Sequence, residues 1–438
     1  MRRRDFIAVG AAALAGLVAP GPATARPLPL RAAAREAWLY LLPLVEVAAV
    51  RARLLAVEPP NRLGHQRDLT TVATQRVTSP NNDTLYSRTF IDLTDGPVTL
   101  ILPASGDRYL SVALMDLFTN NVAILGTRTT GGRGGRFVVH GPGQPAPAGA
   151  IRAPSRSLFV LARTLVAGPA DLEAARAIQA GIWIDGPQAQ RTWQAPPARA
   201  APWRDYFAAG GRLLAETGAP VTDHGLFERI AAFGLGPEGF VGRDFGPSEL
   251  AEIEAGVAEA RTIAARPQGG LDPIQGWLYP RPNLGRFEQD YRFRAQVALS
   301  GLFALPLNEA VYTRSIGDRP DGLLHGDNYR LHFPADRMPP VDGFWSLTAY
   351  EATAAGQFFF TPNPIDRYAI GDRTDGLRRN QDGSLDIWVA RGDPGPARRS
   401  NWLPAPSAAP FMLSMRAYLP RHELSSGVYR FPALQPMQ

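Results

Sequence analysis

Residues 79–90 read Ser-Pro-Asn-Asn-Asp-Thr-Leu-Tyr-Ser-Arg-Thr-Phe. The last nine recur in chemical type at 308–316 as Asn-Glu-Ala-Val-Tyr-Thr-Arg-Ser-Ile. Each copy runs through an amide, a carboxylate, two small or aliphatic residues, a tyrosine, a hydroxyl, an arginine, a second hydroxyl and an apolar end. The landmarks that follow recur in one order. Leu102-Pro103-Ala104 answers Phe333-Pro334-Ala335. Tyr109-Leu110-Ser111-Val112, leading to Met115-Asp116, answers Phe344-Trp345-Ser346-Leu347, leading to Tyr350-Glu351. A run ending at Arg163 answers one ending at Arg416. A motif that recurs together with its downstream landmarks is the signature of an internal duplication, so the chain is expected to build one supersecondary unit twice.

Around both copies the apolar residues alternate at period two. Between 69 and 166, short runs rich in Val, Ile, Leu and Thr (97–102, 109–115, 137–140 and 158–166) are punctuated by Gly and Pro, which predicts a β-sandwich or barrel. The glycine-rich stretch 131–135 reads as a connection between strands and not as an RNA-binding segment. From 308 onward the β pattern returns. Elsewhere the period is helical. Residues 30–57 carry Trp38, Leu41, Leu42, Val45, Ala49 and Leu54 near one stripe, with a bend expected at Pro43. Helices are expected at 171–180, 203–216, 223–234, 248–265 and 287–302, with Asp171, Asp223 and Ser248 as N-caps. The predicted chain is therefore multidomain and mainly β with helices. It has an N-terminal helix and loop at 26–68, a first sandwich at 69–168, a helical insert at 169–303 and a second sandwich at 304–438.

The first 25 residues read as an export signal. Arg2, Arg3 and Arg4 precede an apolar run at 6–18, and Ala23-Thr24-Ala25 offers a cleavage site. Arg3-Arg4-Asp5-Phe6-Ile7 is similar to the twin-arginine class. The apolar run falls short of the roughly 20 residues that span a bilayer, so a periplasmic or secreted protein is expected, with no integral membrane segment once the signal is removed. Every basic residue is arginine. Beyond residue 25, 43 arginines face 39 acidic residues, a net +4. Spread over so long a chain this makes no concentrated field, and no nucleic-acid partner is expected. The chain contains no cysteine, which removes disulfides, thiolate nucleophiles and cysteine metal sites.

These same residues carry a family resemblance. The run 79–87, with Asp92-Leu93, Arg108-Tyr109, Asp116, Thr119-Asn120, Gly126 and Gly141-Pro142-Gly143, resembles the domain of unknown function numbered twelve-fifty-four. Tyr329, Pro339-Pro340-Val341, Phe344-Trp345-Ser346-Leu347-Thr348, Tyr350, Asn363, Arg367-Tyr368, Asp382-Gly383-Ser384, the run 401–406, Arg416 and Tyr418 resemble its usual companion, numbered twelve-fourteen. The resemblance implies a pair of jelly-roll-like antiparallel β-sandwiches with a helical portion, and it implies little about activity.

No strong catalytic motif is present, whether Gly-x-Ser-x-Gly, His-Glu-x-x-His or a phosphate-cradling loop. No cofactor and no metal are expected. His325 and His332, seven residues apart, would share a metal only if a turn brought them together. The repeated motif supplies the catalytic candidates: Asp83 as a base, Tyr86 as an acid or donor, and Arg88 or Arg108 as a clamp for an anion. On a strand, Asn82, Tyr86 and Arg88 share one face and Asp83, Leu85 and Ser87 the other. Because the set occurs twice, a fold-defining corner competes with an active site, and chemistry is expected in what differs between the copies, Asp83 against Glu309 and Thr84 against Ala310. Ligand-binding candidates are Asn82, Asp116 and Asn120 in the first half and Tyr350, Asn363, Tyr368, Asn401 and Trp402 in the second. Aromatic faces bordered by amides suit sugars or aromatic small molecules, whereas Trp345 and Trp388 read as core. The expected function is that of a cell-envelope protein binding a small-molecule or carbohydrate ligand; the alternative is a cofactor-independent hydrolase or lyase.

Overall fold

The computed structural model describes residues 26–188, 191–266 and 273–437, and the export signal lies outside them. Helix α1 (Leu30–Leu55) runs through Pro43 as one element and is buried on most of its surface, from Ala33 to Ala52. The sandwich that follows consists of β1 (Thr84–Asp92), β2 (Val98–Leu102), β3 (Leu110–Met115), β4 (Asn121–Gly126), β5 (Gly135–His140) and β6 (Ser157–Leu165). One sheet runs Gly64–His65, β1, β6, β3, β4, and the facing sheet runs Ile151–Arg152, β5, β2, Trp183–Asp185. Strand alternation sends Ile91, Val112, Leu114, Leu158 and Val160 into the space between the sheets, where they meet Val98, Leu100 and Val139.

Helices α2 (Trp203–Thr217), α3 (Pro247–Ala265) and α4 (Tyr291–Ser300) pack around α1. Helix α3 approaches so closely that a Cβ at Gly256 would lie 2.2 Å from the carbonyl oxygen of Arg31, so only glycine fits there. The expected N-caps are used differently. Asp223 accepts from the hydroxyls of Tyr40 and Tyr291 at 3.0 and 2.9 Å, Asp171 engages Arg108, and Ser248 lies inside α3, where Glu249 accepts from the Gly246 N–H at 2.9 Å.

The second sandwich consists of β7 (Ala310–Ser315), β8 (Asn328–Phe333), β9 (Val341–Ala352), β10 (Leu385–Ala390) and β11 (Phe411–Pro420). One sheet runs Trp277–Leu278, β7, β11, β9, Phe358–Phe359, with Ala369–Gly371 also paired to β9. The other runs Trp402–Pro404, β10, β8, Leu434–Pro436. With β4 answered by the two short pieces Phe358–Phe359 and Ala369–Gly371, this is the order of the first sandwich, and even the lone parallel pairing at the edge recurs, Ile151–Arg152 beside β5 and Trp402–Pro404 beside β10. The duplication is thus structural. Both sandwiches reach beyond the boundaries expected from sequence, because Gly64–His65, Trp183–Asp185 and Trp277–Leu278 are edge pieces of two or three residues, too short to show a period. Among the described residues no helix is long and apolar enough to cross a membrane.

Candidate functional site

The outer faces of β1, β6 and β3 and of β7, β11 and β9 turn toward each other and toward the helices. A single buried cluster joins Phe90, Phe159 and Met115 of the first sandwich to α1 and to Ala310, Phe344 and Tyr418 of the second. Register then produces a repeated row. Tyr86 stands opposite Arg163, and Arg163 opposite Ser111. In the second sandwich Tyr312 stands opposite Arg416, and Arg416 opposite Ser346. Two Tyr-Arg-Ser rows therefore lie across three adjacent strands on matching faces.

Aromatic contacts bring the two rows together. Tyr109 lies 5.1 Å from Tyr418 between ring centroids, Tyr312 lies 5.7 Å from Tyr418, and Phe344 stacks on Tyr418 at 4.1 Å. Reciprocal polar contacts fasten the sandwiches. Ser346 donates to the Asp83 carboxylate at 2.7 Å, and Glu309 accepts from the Tyr109 hydroxyl at 3.0 Å and from Arg128 Nε at 2.7 Å. Asn81 donates to the Tyr418 hydroxyl at 2.8 Å, and the Tyr350 hydroxyl donates to the Pro80 carbonyl. The carboxylates of the repeated motif are thus interface groups, each held by the opposite sandwich.

The two arginines differ sharply. Arg416 donates to Thr348 Oγ1 at 2.8 Å, to the Tyr350 hydroxyl at 2.6 Å and to the Ser79 carbonyl at 3.2 Å. Burial disfavours its charge, and Tyr350, Tyr418 and the Asp83 carboxylate favour it. Arg163 is equally buried, 6 % exposed, but its Nε and Nη1 have no hydrogen-bond partner, and the Ser111 hydroxyl beside it has none either. Register explains the contrast: Ala113 and Met115 occupy the positions of Thr348 and Tyr350. Burial opposes the Arg163 charge too, and the neighbouring phenol oxygens of Tyr312, Tyr86, Tyr109 and Tyr418 outweigh it, so that the pKa is raised. The guanidinium sits 5.5 Å from the centre of the Tyr86 ring. Burial pushes the phenols of Tyr109, Tyr312 and Tyr418 above their ordinary range, so at neutral pH they remain protonated and able to donate. Tyr86 and Tyr312 are only half-buried. A cationic fork ringed by protonated hydroxyls is an anion site in its chemistry.

A cavity of about 400 Å³ adjoins this interface, lined in part by Trp345, Asp372 and Arg373. The Arg373 guanidinium lies 3.8 Å from the centre of the Phe344 ring, and burial raises the pKa of the Asp372 carboxyl.

Of the residues singled out from sequence, Asp83 and Tyr86 both reach the interface, Asp83 from the bend just before β1, where strand alternation does not apply. Arg88 is exposed. Arg108 forms a two-pronged pair with Asp171 at 2.5 and 2.6 Å and also donates to the Leu165 carbonyl at 2.7 Å. Asn82 donates to the Thr70 carbonyl at 2.6 Å. Asp116 organises a turn, accepting from the N–H groups of Phe118 and Asn120 at 2.9 and 2.8 Å, and burial raises its pKa. Asn120 accepts from the Phe287 N–H at 3.1 Å. Tyr350 lies at the interface. Asn363 ties its own turn through the Arg367 N–H at 3.0 Å, and Tyr368 packs on Phe360 at 4.9 Å. Asn401 bridges the backbone at Arg378 and Asp386, and Trp402 is buried, donating to the Ala390 carbonyl at 2.9 Å. His325 and His332 engage separate carboxylates, Asp321 at 2.8 Å and Asp386 at 2.7 Å. Sequence reasoning passed over Arg163 and Ser111 as functional groups, although each belongs to a duplicated landmark.

The comparisons with known proteins agree with this architecture. Residues 60–186 match the family model described as Protein of unknown function (DUF1254), and residues 309–422 match Protein of unknown function (DUF1214). No curated protein matches the chain. The crystal structure of the VPA0106 protein from Vibrio parahaemolyticus is similar over 94% of this chain and 100% of its own, at 23% identity and a TM-score of 0.70, which shows a shared fold. An uncharacterised protein from Burkholderia cenocepacia aligns at 13% identity over 90% of this chain and 91% of its own, with a TM-score of 0.45. The two matched segments contain the two copies of the Tyr-Arg-Ser row, apart from the gap between them, and the chain belongs to the proteins in which DUF1254 is followed by DUF1214.

Proposed function

We propose that this is a binding protein of the cell envelope whose ligand is a small organic anion, a carboxylate-bearing molecule held between the two sandwiches by Arg163. One observation carries the reading: a buried guanidinium with two unpaired nitrogens faces protonated tyrosines. Burying an unpaired charge costs several kcal/mol, and a bound carboxylate would offset this through the forked geometry that arginine presents. The hydroxyls of Ser111, Tyr86 and Tyr312 lie in the same two rows and would complete the shell. The envelope location rests on the first 25 residues of the sequence.

Thermal unfolding and calorimetry of the mature protein test the reading with acetate, benzoate, succinate, citrate and phosphate, and with glucose as a neutral control. A carboxylate at 100 times its Kd should add about 2.7 kcal/mol of stability, and Arg163→Gln should abolish the gain. If no anion in the series raises the Tm, or if Arg163→Gln binds as well as the parent, the reading fails.

The hydrolase or lyase alternative has one observation in its favour, the Ser346 hydroxyl held at 2.7 Å by Asp83, a nucleophile within reach of a base. Asp83→Asn decides: an enzyme would lose turnover and keep its affinity for the ligand, whereas an interface fastener would lose stability alone.

A further inference from the structure

A second cavity, also of about 400 Å³, lies where the first sandwich meets the helices. That volume falls within the roughly 300–1,000 Å³ typical of small-molecule sites. Asp92 at the end of β1 and Ser157 at the start of β6 are partners in one ladder step, so the sheet delivers both to the same wall. Glu216 and Thr217 arrive on the last turn of α2, and Arg191 and Trp193 on the segment crossing over them.

The polar groups here are incompletely satisfied. Ser157 is 6 % and Thr217 9 % exposed, yet their hydroxyls have no hydrogen-bond partner, and neither has the indole N–H of Trp193. A buried polar group left unmade costs about 1–3 kcal/mol, so three around one cavity point to a molecule that supplies the missing bonds. The charges, by contrast, stand in ion pairs, although Asp92 Oδ2 accepts no hydrogen bond and Arg51 Nε donates none. Asp92 pairs with Arg191 at 2.9 Å, and Glu216 with Arg51 at 2.9 Å. Arg51 also lies 3.9 Å from the centre of the Trp193 ring. Arg156, also on the lining, is exposed. An anion would meet two carboxylates already neutralised, and a cation two arginines already paired. What remains unmet on the lining is two hydroxyls that both donate and accept, one N–H donor, and the Oδ2 acceptor of a carboxylate whose charge Arg191 already balances.

We infer that this cavity binds a neutral polyhydroxylated molecule of about monosaccharide size, with Ser157, Thr217 and the Trp193 N–H bonding its hydroxyls. A sugar or cyclitol hydroxyl donates and accepts at once, as the unmet groups require, and it can add a bond to the paired carboxylates without displacing their arginines. The inference is independent of the Arg163 site, which lies on the opposite reach of the same sheet and selects for charge.

The test is calorimetry and ligand-observed NMR on the mature protein with D-glucose, D-galactose, N-acetylglucosamine, myo-inositol and glycerol, with acetate as control. At least one ring-sized member should bind saturably. Thr217→Val and Trp193→Phe, which keep shape and remove a hydrogen-bonding group, should each weaken it by about tenfold, while Arg163→Gln leaves it unchanged. Failure of all five to bind, or binding that survives both Thr217→Val and Trp193→Phe, or competition by acetate, would overturn the inference. The ligand-free Tm of each variant separates a lost contact from a lost fold.

Discussion

Arg163 and Arg416 occupy the same place in two copies of one sandwich, and they live in different chemistry. In the second copy β9 places Thr348 and Tyr350 beside the arginine, the segment around Ser79 contributes a carbonyl, and Asp83 lies within electrostatic reach. In the first copy the equivalent positions are Ala113 and Met115, apolar because that half of the sheet packs on α1. The corner carboxylates diverge as well. Asp83 is held at the serine of the second row, whereas the longer Glu309 turns aside to Tyr109 and Arg128 and does not engage Ser111. Duplication followed by divergence has made one row a fastener and left the other with unmet donors. On the proposed reading, a fold-defining corner and a binding site are one motif used twice.

The largest effect should come from dismantling the satisfied row. Arg416→Met removes three hydrogen bonds, those to the Thr348 and Tyr350 hydroxyls and to the Ser79 carbonyl, with an expected loss of about 3–5 kcal/mol in urea unfolding. A loss under about 1 kcal/mol would mean that the row is not structural. Glu309→Gln should come next, at about 2–3 kcal/mol, because the Glu309 side chain is 1% exposed and is the only ion-pair partner of Arg128 among the described residues. Mutating Arg128 to Met in the same background should recover part of the loss, and a double-mutant cycle reads the coupling.

The sequence carried the duplication well, because a row of landmarks in fixed order survives as strand order. The runs ending at Arg163 and Arg416 are β6 and β11, and the motif at 84–90 is β1. The site was harder to read. Tyr86 was visible inside the motif, but its partner lies 77 positions away in sequence, opposite it only through the ladder that pairs β1 with β6. Whether an arginine is paired depends on the third strand, where Ala113 against Thr348 looks like an ordinary core substitution until register puts it beside the guanidinium. Short edge pieces such as Trp183–Asp185 have no period of their own, which is why the first sandwich seemed to stop near 168. The amide and aromatic candidates Asn363, Asn401 and Trp402 have the composition of a sugar platform, and in the fold their polar atoms go to turns and backbone.

A smaller effect should separate the sandwiches by pH. The first-sandwich pair Arg108–Asp171 is bidentate, and the hydrogen bonds from Arg108 hold the Asp171 pKa below the ordinary carboxylate value. A carboxylate whose folded pKa is depressed contributes stability that is fully present above its unfolded pKa, about 3.9, and is lost as pH falls through the folded value. Acid titration below about pH 4 should therefore weaken this pair, and Asp171→Asn should lower stability by about 1–2 kcal/mol at pH 7 while flattening that part of the acid limb. An unaltered acid limb in the variant would show that Asp171 does not contribute.

The smallest effect is the most informative. Arg163→Met, measured without ligand, should change stability by no more than about 1 kcal/mol, on the stabilising side. The guanidinium gains about 0.5–2 kcal/mol from the Tyr86 ring beneath it and forgoes the several kcal/mol of solvation that its burial removes; methionine restores apolar contact with Leu161, Leu165 and Tyr86 and leaves no unpaired donor. Arg416→Met has the same chemistry at the same position in the fold and is expected to fail by several kcal/mol. Equal losses in the two variants would make the rows equivalent and remove the ground for a binding site at Arg163. Opposite signs would mean that Arg163 is retained against its effect on folding, and a group retained on those terms has to be serving something outside the chain.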